Sequence, residues 1–310
     1  MSSLKSMLTR EQVVGLDIND GQITAAWFQA GNLHAGLKNI VCGEYSPGVD
    51  DRHVAKAIRE IWRKEKIPTR TVQSCLHSRS LLIRYFKYEN ISREELPRVL
   101  SLEAEEALQC PIDEISLDWQ LNTELPSNSN AQKLSGTLVA APRHKVLRHL
   151  KLIKMAGLYS VNVHVSYSAL NNLYSWLMKE QDTEPVCLIN LTQSSVDIVM
   201  HSDNSNYPRT LFSAETGWEH NGSYLLENIQ NALLYYHLKL KHAPIKRIFL
   251  AGRLSGLDEF KKNLSEETSL PVSELDMSSI LKINNKFLAG DRARNQATAI
   301  GLGLKREVVQ

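Results

Sequence analysis

The side chains best suited to proton transfer in this sequence are Asp197, His201 and His237. A carboxylate and an imidazole can work as a general acid and base when a nucleophile lies within hydrogen-bond reach. No nucleophile stands at a suggestive spacing from these residues, and the G-x-S-x-G pattern of a nucleophile elbow is absent. The pattern therefore favours structural roles for all three side chains and predicts no catalytic residue.

Histidine and cysteine side chains are the usual ligands of transition metals. His144 and His149 stand five positions apart on a predicted helix, about 140° apart around its axis and therefore on different faces. The cysteines are scattered without a C-x-x-C pair, which is typical of buried thiols in a reducing cytoplasm. They are Cys42, Cys75, Cys110 and Cys187. The spacing predicts no metal site.

A chain of 310 residues is long enough for two α/β lobes, each with its own core. Its 36 basic and 34 acidic residues nearly balance, so neither nucleic acid nor an anionic membrane is expected as the main ligand. No apolar run approaches the roughly 20 residues of a membrane helix, and no signal-peptide pattern is present. We expect a protein of the cytoplasm without direct membrane insertion, which reaches a membrane only through a partner.

The chain begins with short apolar segments separated by Gly, Asn and Asp residues. That pattern predicts a β-meander with strands at 13–18, 23–28 and 33–41. Strand-like segments repeat the pattern at 186–191, 196–201 and 210–213, and a long helix follows at 222–240. A meander followed by helices in each half predicts a duplicated α/β architecture.

A separate block at 71–140 interrupts the first half. Within it, Ser92 and Glu95 predict a capping box that opens a helix, which Pro111 ends. The next helix, at 143–155, is predicted to close at Gly157.

Three passages resemble one family, the PilM proteins of type IV pilus assembly. The stretch 91–121 is similar to the family's inserted subdomain, with its E-A-E helix, proline and D-x-Q strand. The stretch 138–170 is similar to its "A-A-P, helix, A-G-L, strand, S-x-A-L" passage. Residues 248–260 and 299–305 resemble its adenosine loop and final helix. The first two passages carry the specificity of the resemblance.

The resemblance implies an α/β, actin-like fold similar to FtsA, with a duplicated RNase H-like core in two lobes and an inserted α+β subdomain. The core of the first lobe (1A) is expected at 11–70 and 141–181, the insert (1C) at 71–140, and the second lobe (2A/2B) at 182–310. The C-terminal helix, 292–304, is expected to pack back near the first lobe. Members of the family bind nucleotide between the lobes.

In this family two turns, each with Asp-x-Gly, hold the phosphates. The resemblance assigns the first turn to Asp17, Asn19 and Gly21, with the carboxylate orienting Mg²⁺ and backbone N–H groups binding phosphate. Asp17 is retained, but Asn19 stands where the family has glycine. Asp20 is a further departure, because an inward carboxylate would be repelled by the phosphates by on the order of several kcal/mol.

The second turn departs further. The resemblance assigns Asn190 to the position of the carboxylate and Thr192 to the position of the glycine, where a Cβ crowds the phosphate. In the adenosine loop, Gly252 is retained before Arg253, and Gly256 follows. The cofactor is therefore either none or ATP with Mg²⁺: the cleft has decayed, binds without useful turnover, or is a working ATPase. The departures favour the first interpretation.

The family captures the N-terminal cytoplasmic tail of the membrane protein PilN in a groove beside the inserted subdomain. The walls of that groove are expected from the strand at 81–88 and the helix at 94–108. The candidate partner-binding residues are Arg79, Arg84, Tyr85, Leu96 and Leu100. An extended peptide would add alongside the strand edge. The alternative is an ordinary half-buried strand with its polar residues outward.

The resemblance thus implies a scaffold, recruited to the inner-membrane face, that binds a PilN-like bitopic protein and other pilus assembly proteins. One rival is an actin-like ATPase whose hydrolysis switches partner affinity. Another is a GspL-like scaffold of type II secretion, although that family continues into a membrane helix for which this sequence shows no apolar run. A kinase of the same superfamily is the least favoured.

Overall fold

The structure is a computed structural model, which describes residues 13–28, 37–122, 133–177, 184–202, 205–212, 222–252, 257–275 and 296–304. Its strands are β1 (Val14–Asn19), β2 (Gln22–Phe28), β3 (Leu37–Glu44), β4 (Thr71–Cys75), β5 (Leu82–Glu89), β6 (Ile115–Leu121), β7 (Lys133–Pro142), β8 (Tyr159–His164), β9 (Val186–Leu191), β10 (Ser195–Ser202), β11 (Ser205–Phe212), β12 (Arg247–Gly252) and β13 (Val272–Glu274). Its α-helices are α1 (Asp51–Lys64), α2 (Leu96–Leu108), α3 (Arg143–Met155), α4 (Ser166–Leu177), α5 (Gly222–Leu234), α6 (Leu257–Thr268) and α7 (Ala297–Leu304).

Contacts divide the chain into two compact units. The first unit consists of Met1–His77, Arg148–Met178 and Asp276–Gln310, and the second of Ser78–Leu147 and Lys179–Leu275. The first unit contains a five-stranded sheet in the order β3-β2-β1-β4-β8. The second contains a five-stranded sheet, β11-β10-β9-β12-β13, and a three-stranded sheet, β5-β7-β6. Each five-stranded sheet begins with an antiparallel meander and continues with parallel strands.

Local sequence explains the start of the first unit. Asp20 and Gly21 join β1 to β2 with φ of 50° and 78°, the positive values of a two-residue hairpin turn. The side chain of Asp50 accepts hydrogen bonds from the N–H groups of Arg52 and His53 and so caps α1. The buried face of α1 packs under the sheet with Ile58 fully buried.

The structure corrects one predicted boundary. Strand β4 was expected in the inserted block at 71–140, but it pairs in parallel with both β1 and β8 in the first sheet. Its residues from Val72 to Cys75 are buried on both faces, as is typical of a strand inside a parallel sheet. The three-stranded sheet of the insert therefore starts after this strand, at β5.

Helix α7 lies against β1 and α4 at a distance that only glycine permits. A Cβ on Gly15 would lie 2.1 Å from the carbonyl oxygen of Ala299, and one on Gly301 would lie 2.0 Å from that of Ala169. Both neighbours are backbone atoms, which cannot move aside as a flexible side chain would.

The second unit follows the order of the predicted meander, but its third strand, β11, begins at Ser205 and not at 210, and its long helix also differs. Instead of one helix over 222–240, α5 ends at Leu234 and a π-helical turn, Tyr235–Lys239, follows. Tyr236 in this turn is fully buried and stacks on His242 with ring centroids 4.6 Å apart. A π turn shifts the register of the helix and so directs this ring inward.

The three-stranded sheet packs against α2. The predicted capping box forms: the N–H of Ser92 donates to the carboxylate of Glu95, and the N–H of Glu95 donates to the hydroxyl of Ser92. Helix α3 ends as expected at Gly157, whose φ is 78° and whose N–H donates to the carbonyl of Lys154.

Candidate functional site

The residues of the first predicted phosphate turn make hydrogen bonds to one another and to the segment after β3. The side-chain amide of Asn19 donates to the carboxylate of Asp20 at 3.1 Å, and the N–H of Tyr45 donates to the carbonyl of Gly21 at 2.7 Å. A Cβ on Gly21 would lie 3.0 Å from the carbonyl oxygen of Tyr45, and its φ is positive. The hairpin alone therefore accounts for Asn19, Asp20 and Gly21.

Asp17 pairs with a histidine of its own chain. Its Oδ1 lies 2.6 Å from Nε2 of His77, and the two side chains are 18% and 15% exposed. Burial of the imidazole acts to lower the pKa of His77, but the charges of Cys75 and Asp17 outweigh it and raise the pKa well above its ordinary value. The carboxylate that would orient Mg²⁺ in an actin-like site thus faces an imidazolium.

Cys75 completes a cluster with these two residues. Strands β1 and β4 run in parallel with Leu16 opposite Ser74, so Asp17 and Cys75 are neighbours on the same side of the sheet. One ligand atom each of Asp17, Cys75 and His77 lies within 4.8 Å of the others. Sequence spacing does not indicate this cluster, because His77 and Asp17 are 60 positions apart and Cys75-x-His77 alone is a weak signal.

His149 lies beside this cluster, but its pKa is shifted in the opposite direction to the pKa of His77. Its Nε2 is 2.9 Å from the hydroxyl oxygen of Ser74. Burial first, and then the charge of His77, lower the pKa of His149 to about 4, although Asp17 acts the other way. His149 is therefore a neutral imidazole at neutral pH. In the structure His149 lies near Asp17 and His77. From the sequence it was compared only with His144, as a possible metal ligand on the same helix.

The second predicted phosphate turn is also occupied by its own hydrogen bonds. The N–H and hydroxyl of Thr192 both donate to the carbonyl of Ser195, at 2.9 and 3.0 Å. The N–H of Ser195 donates to the hydroxyl of Thr192 at 3.0 Å. A backbone donor that a phosphate would need is therefore already used by the hairpin.

A buried carboxylate explains why an amide stands at Asn190. Asn190 lies directly opposite Asp197 in the antiparallel pair β9 and β10, so both side chains are on one face of the sheet. Asp197 is fully buried, and its Oδ1 accepts a hydrogen bond from the hydroxyl of Thr210 at 2.8 Å. A second carboxylate at position 190 would meet Asp197 in a site shielded from water. This places Asp197 in a structural role.

Local packing against β9 explains why position 252 is a glycine. Its φ is 84°, and a Cβ would lie 2.0 Å from the carbonyl oxygen of Leu191 on β9. The close approach of β12 to β9 therefore requires glycine whether or not a nucleotide binds. Asn190, Thr192 and Gly252 do come together at the ends of these two strands. Gly256, the second predicted glycine of the adenosine loop, lies outside the described residues.

The predicted partner-binding residues divide into two groups. On β5, Arg84 donates to Oε1 of Glu103 on α2 at 2.8 Å, and the hydroxyl of Tyr88 donates to the same carboxylate. Tyr85 is half-buried on the other face of the strand, with its ring 5.6 Å from that of Tyr207 in an edge-on contact. Arg79, in the turn before β5, is exposed. Arg79 and Arg84 are therefore accessible to a ligand.

Leu96 and Leu100 differ from their predicted role as walls of a groove. They are 1% and 0% exposed and belong to a core with Phe86, Leu134 and Leu138. Because they point into the sheet, they position α2 and offer no surface to a partner. Helical periodicity identified the apolar face of α2, but only tertiary packing shows that the sheet already covers that face.

Within the described part of the chain, no helix is long and apolar enough to cross a membrane.

Comparisons with known proteins place the fold. Among solved structures, the chain is similar to the PilM-PilN type IV pilus biogenesis complex, with a TM-score of 0.80 and 17% identity over 95% of this chain and 98% of that chain. It is also similar to a protein from Bacteroides thetaiotaomicron with an actin-like ATPase fold and unknown function, with a TM-score of 0.51 and 8% identity over 92% and 100% of the two chains. A third similar structure is the cytoplasmic domain of EpsL, an inner membrane component of the type II secretion system of Vibrio cholerae, with a TM-score of 0.53 and 10% identity over 90% and 99%.

These likenesses show that the chain has the fold of the actin-like ATPases, as the sequence predicted. A search of curated proteins gave no match. A sequence profile of the family described as type IV pilus assembly protein PilM matches residues 43–213. That span is more than half of the chain and includes α1, the whole three-stranded sheet and α2. The chain therefore belongs to the PilM family of type IV pilus assembly proteins.

Proposed function

We propose that this protein is a cytoplasmic scaffold of the type IV pilus assembly platform, recruited to the inner-membrane face by the N-terminal tail of a PilN-like bitopic protein. The observation that carries the proposal is the match to the PilM family over residues 43–213. The likeness to the PilM-PilN complex at a TM-score of 0.80 supports a partner of the same kind. Through this tail the scaffold would couple a membrane protein to other pilus assembly proteins.

The role requires no catalysis. In the first predicted phosphate turn the side chain of Asn19 bonds to Asp20, and Asp17 is paired with His77. In the second, backbone groups of Ser195 bond to the hydroxyl of Thr192. In the second turn, Asn190 replaces a carboxylate opposite the buried Asp197. These features support a degenerate nucleotide site, because binding Mg·ATP would first have to break hydrogen bonds that the protein makes to itself.

The tail would bind along β5 and its preceding turn. β5 is an edge strand of the three-stranded sheet, and Arg79 and Arg84 are exposed there. The ion pair with Glu103 keeps the guanidinium of Arg84 in one orientation, and the side chain of Arg84 remains exposed. An arginine in this state can donate to the backbone carbonyls or carboxylates of an extended peptide.

A labelled peptide of the partner's N-terminal tail is expected to bind the purified protein saturably in the micromolar range, as measured by fluorescence anisotropy. Arg79→Ala and Arg84→Ala are each expected to weaken binding about 5- to 30-fold, which corresponds to about 1–2 kcal/mol for a hydrogen bond to a charged group. Both residues are exposed, so circular dichroism should show an unchanged fold.

Lys87→Ala is the matched control for these variants. Lys87 is exposed on the same strand, but the alternation of β5 places it on the opposite face from Arg84. Its loss should leave the Kd within about twofold. The absence of saturable binding up to high micromolar peptide, with a folded protein, would sink the proposed function.

The ATPase alternative is tested by calorimetric titration of Mg·ATP and Mg·ADP into chelator-treated protein. We expect no heat of binding, and no thermal shift at millimolar ATP, because both turns are closed by internal hydrogen bonds. Micromolar binding that disappears in Asp17→Ala would contradict this and indicate a nucleotide-controlled switch of partner affinity.

A further inference from the structure

Three different kinds of metal ligand meet in the first unit. The carboxylate of Asp17 comes from β1, the sulfur of Cys75 from the last residue of β4, and the imidazole of His77 from the segment after β4. Their ligand atoms lie within 4.8 Å of one another. His77 makes side-chain hydrogen bonds to both other members, so its ring already points at them.

The distances suit one small cation. Ligand atoms around a tetrahedral Zn²⁺ stand about 3.4 Å apart, since each lies about 2.0–2.3 Å from the metal. Within the cluster the Asp17–His77 hydrogen bond is 2.6 Å long, and no ligand atom lies more than 4.8 Å from another. A cation would separate Asp17 from His77 by less than about 1 Å and would require Cys75 to move by no more than about 1 Å, which side-chain rotation can supply.

We propose that Asp17, Cys75 and His77 form a binding site for one zinc-type divalent cation, with a fourth coordination position open to water. A thiolate, a neutral imidazole and a carboxylate are the ligand types that Zn²⁺ accepts, whereas Mg²⁺ requires an octahedron of oxygens. Zinc would therefore displace the proton of the His77 imidazolium, and any proton on Cys75, to solvent, so that binding weakens as the pH falls. Asp17 and His77 keep some exposure, which leaves a path for the ion and a place for the water, while Cys75 forms the buried base of the site.

The bound cation would join β1 to the end of β4 and would thereby stabilise the first unit, because the three ligands are assembled only in the folded chain. It would also occupy Asp17, the one acidic residue retained in the predicted nucleotide site. Zinc and Mg·ATP would therefore exclude each other. The proposal does not depend on capture of a PilN-like tail, so either can fail without the other.

Titration of chelator-treated full-length protein with Zn²⁺ against a chromophoric competitor tests the site. One equivalent is expected to bind. Titration with Co²⁺ is expected to produce the near-ultraviolet charge-transfer band of a thiolate–cobalt bond. Cys75→Ser should abolish this band. Because loss of a group that only supports a ligand costs about 10- to 100-fold in metal affinity, loss of the ligand itself should cost about 100-fold or more.

His77→Gln and Asp17→Asn provide independent tests, since these residues are partly exposed and their loss spares the core around Cys75. Each is expected to weaken zinc binding about 100-fold or more and to remove the rise in Tm that zinc gives the wild type. Cys110→Ser, His144→Gln and Asp20→Asn are the matched controls and should bind as the wild type does. Sub-stoichiometric zinc binding, or a cobalt band that persists in folded Cys75→Ser, would overturn the proposal.

Discussion

Gly301→Ala is expected to destabilise the protein by about 3 kcal/mol, although alanine is the better helix former by about 1 kcal/mol. The added Cβ would lie 2.0 Å from the carbonyl oxygen and 2.6 Å from the carbonyl carbon of Ala169 on α4. Real Cβ contacts do not come this close, so α7 must move away from α4. That movement also opens its contact with β1, where a Cβ on Gly15 would lie 2.5 Å from the backbone nitrogen of Gly303.

Gly222→Ala is the matched control for this substitution. Gly222 is also a helical glycine, the first residue of α5, and a Cβ there would meet no atom within 4 Å. Its replacement should change stability by no more than about 0.5 kcal/mol. Urea denaturation followed by circular dichroism measures both variants. Equal stability of the two would show that α7 does not pack on α4 as the structure has it.

The buried His201 is expected to make the protein lose about 2–3 kcal/mol of stability as the pH falls from about 6.5 to about 4. Burial lowers the pKa of His201 to about 4, against the opposing effect of its hydrogen bond to Asn206. In this pH range the unfolded chain binds a proton at this histidine and the folded chain does not. Acid therefore favours unfolding, and the stability contribution is complete above about pH 6.5.

His201→Gln removes the titrating group and keeps a polar side chain in its place. The stability difference between the variant and the wild type should shift by about 2–3 kcal/mol in favour of the variant between pH 7 and pH 4, as measured by urea denaturation at each pH. If the unfolding free energies of His201→Gln and the wild type changed equally with pH, His201 would not be a neutral imidazole in the folded protein.

The features that the sequence predicted correctly are those set by a few neighbouring residues. Ser92 and Glu95 form the expected capping box, and Gly157 ends α3 in a left-handed conformation. Asp20 and Gly21 form a hairpin turn. Each depends on backbone groups within a few positions, so composition and spacing carry the information. The family resemblance also predicted the actin-like fold. The two passages that carry it, 91–121 and 138–170, cover most of the insert and the helix–strand–helix segment after it.

Two site predictions needed information that spacing does not contain. Helical periodicity identified Leu96 and Leu100 as an apolar face but not whether a sheet or a partner covers it, and the structure places them against the sheet. Gly252 was interpreted as part of a nucleotide loop, whereas the approach of β12 to Leu191 already requires it.

The sequence by itself therefore determined the order of the elements, their turns and caps, and membership of an actin-like family. Only the tertiary structure decided which residues meet: β4 lies between β1 and β8, and Asp17 lies with Cys75 and His77. The physical reason is that strand pairing brings together residues far apart in the chain. The cost of closing the intervening loop grows only slowly with its length, so sequence separation says little about contact.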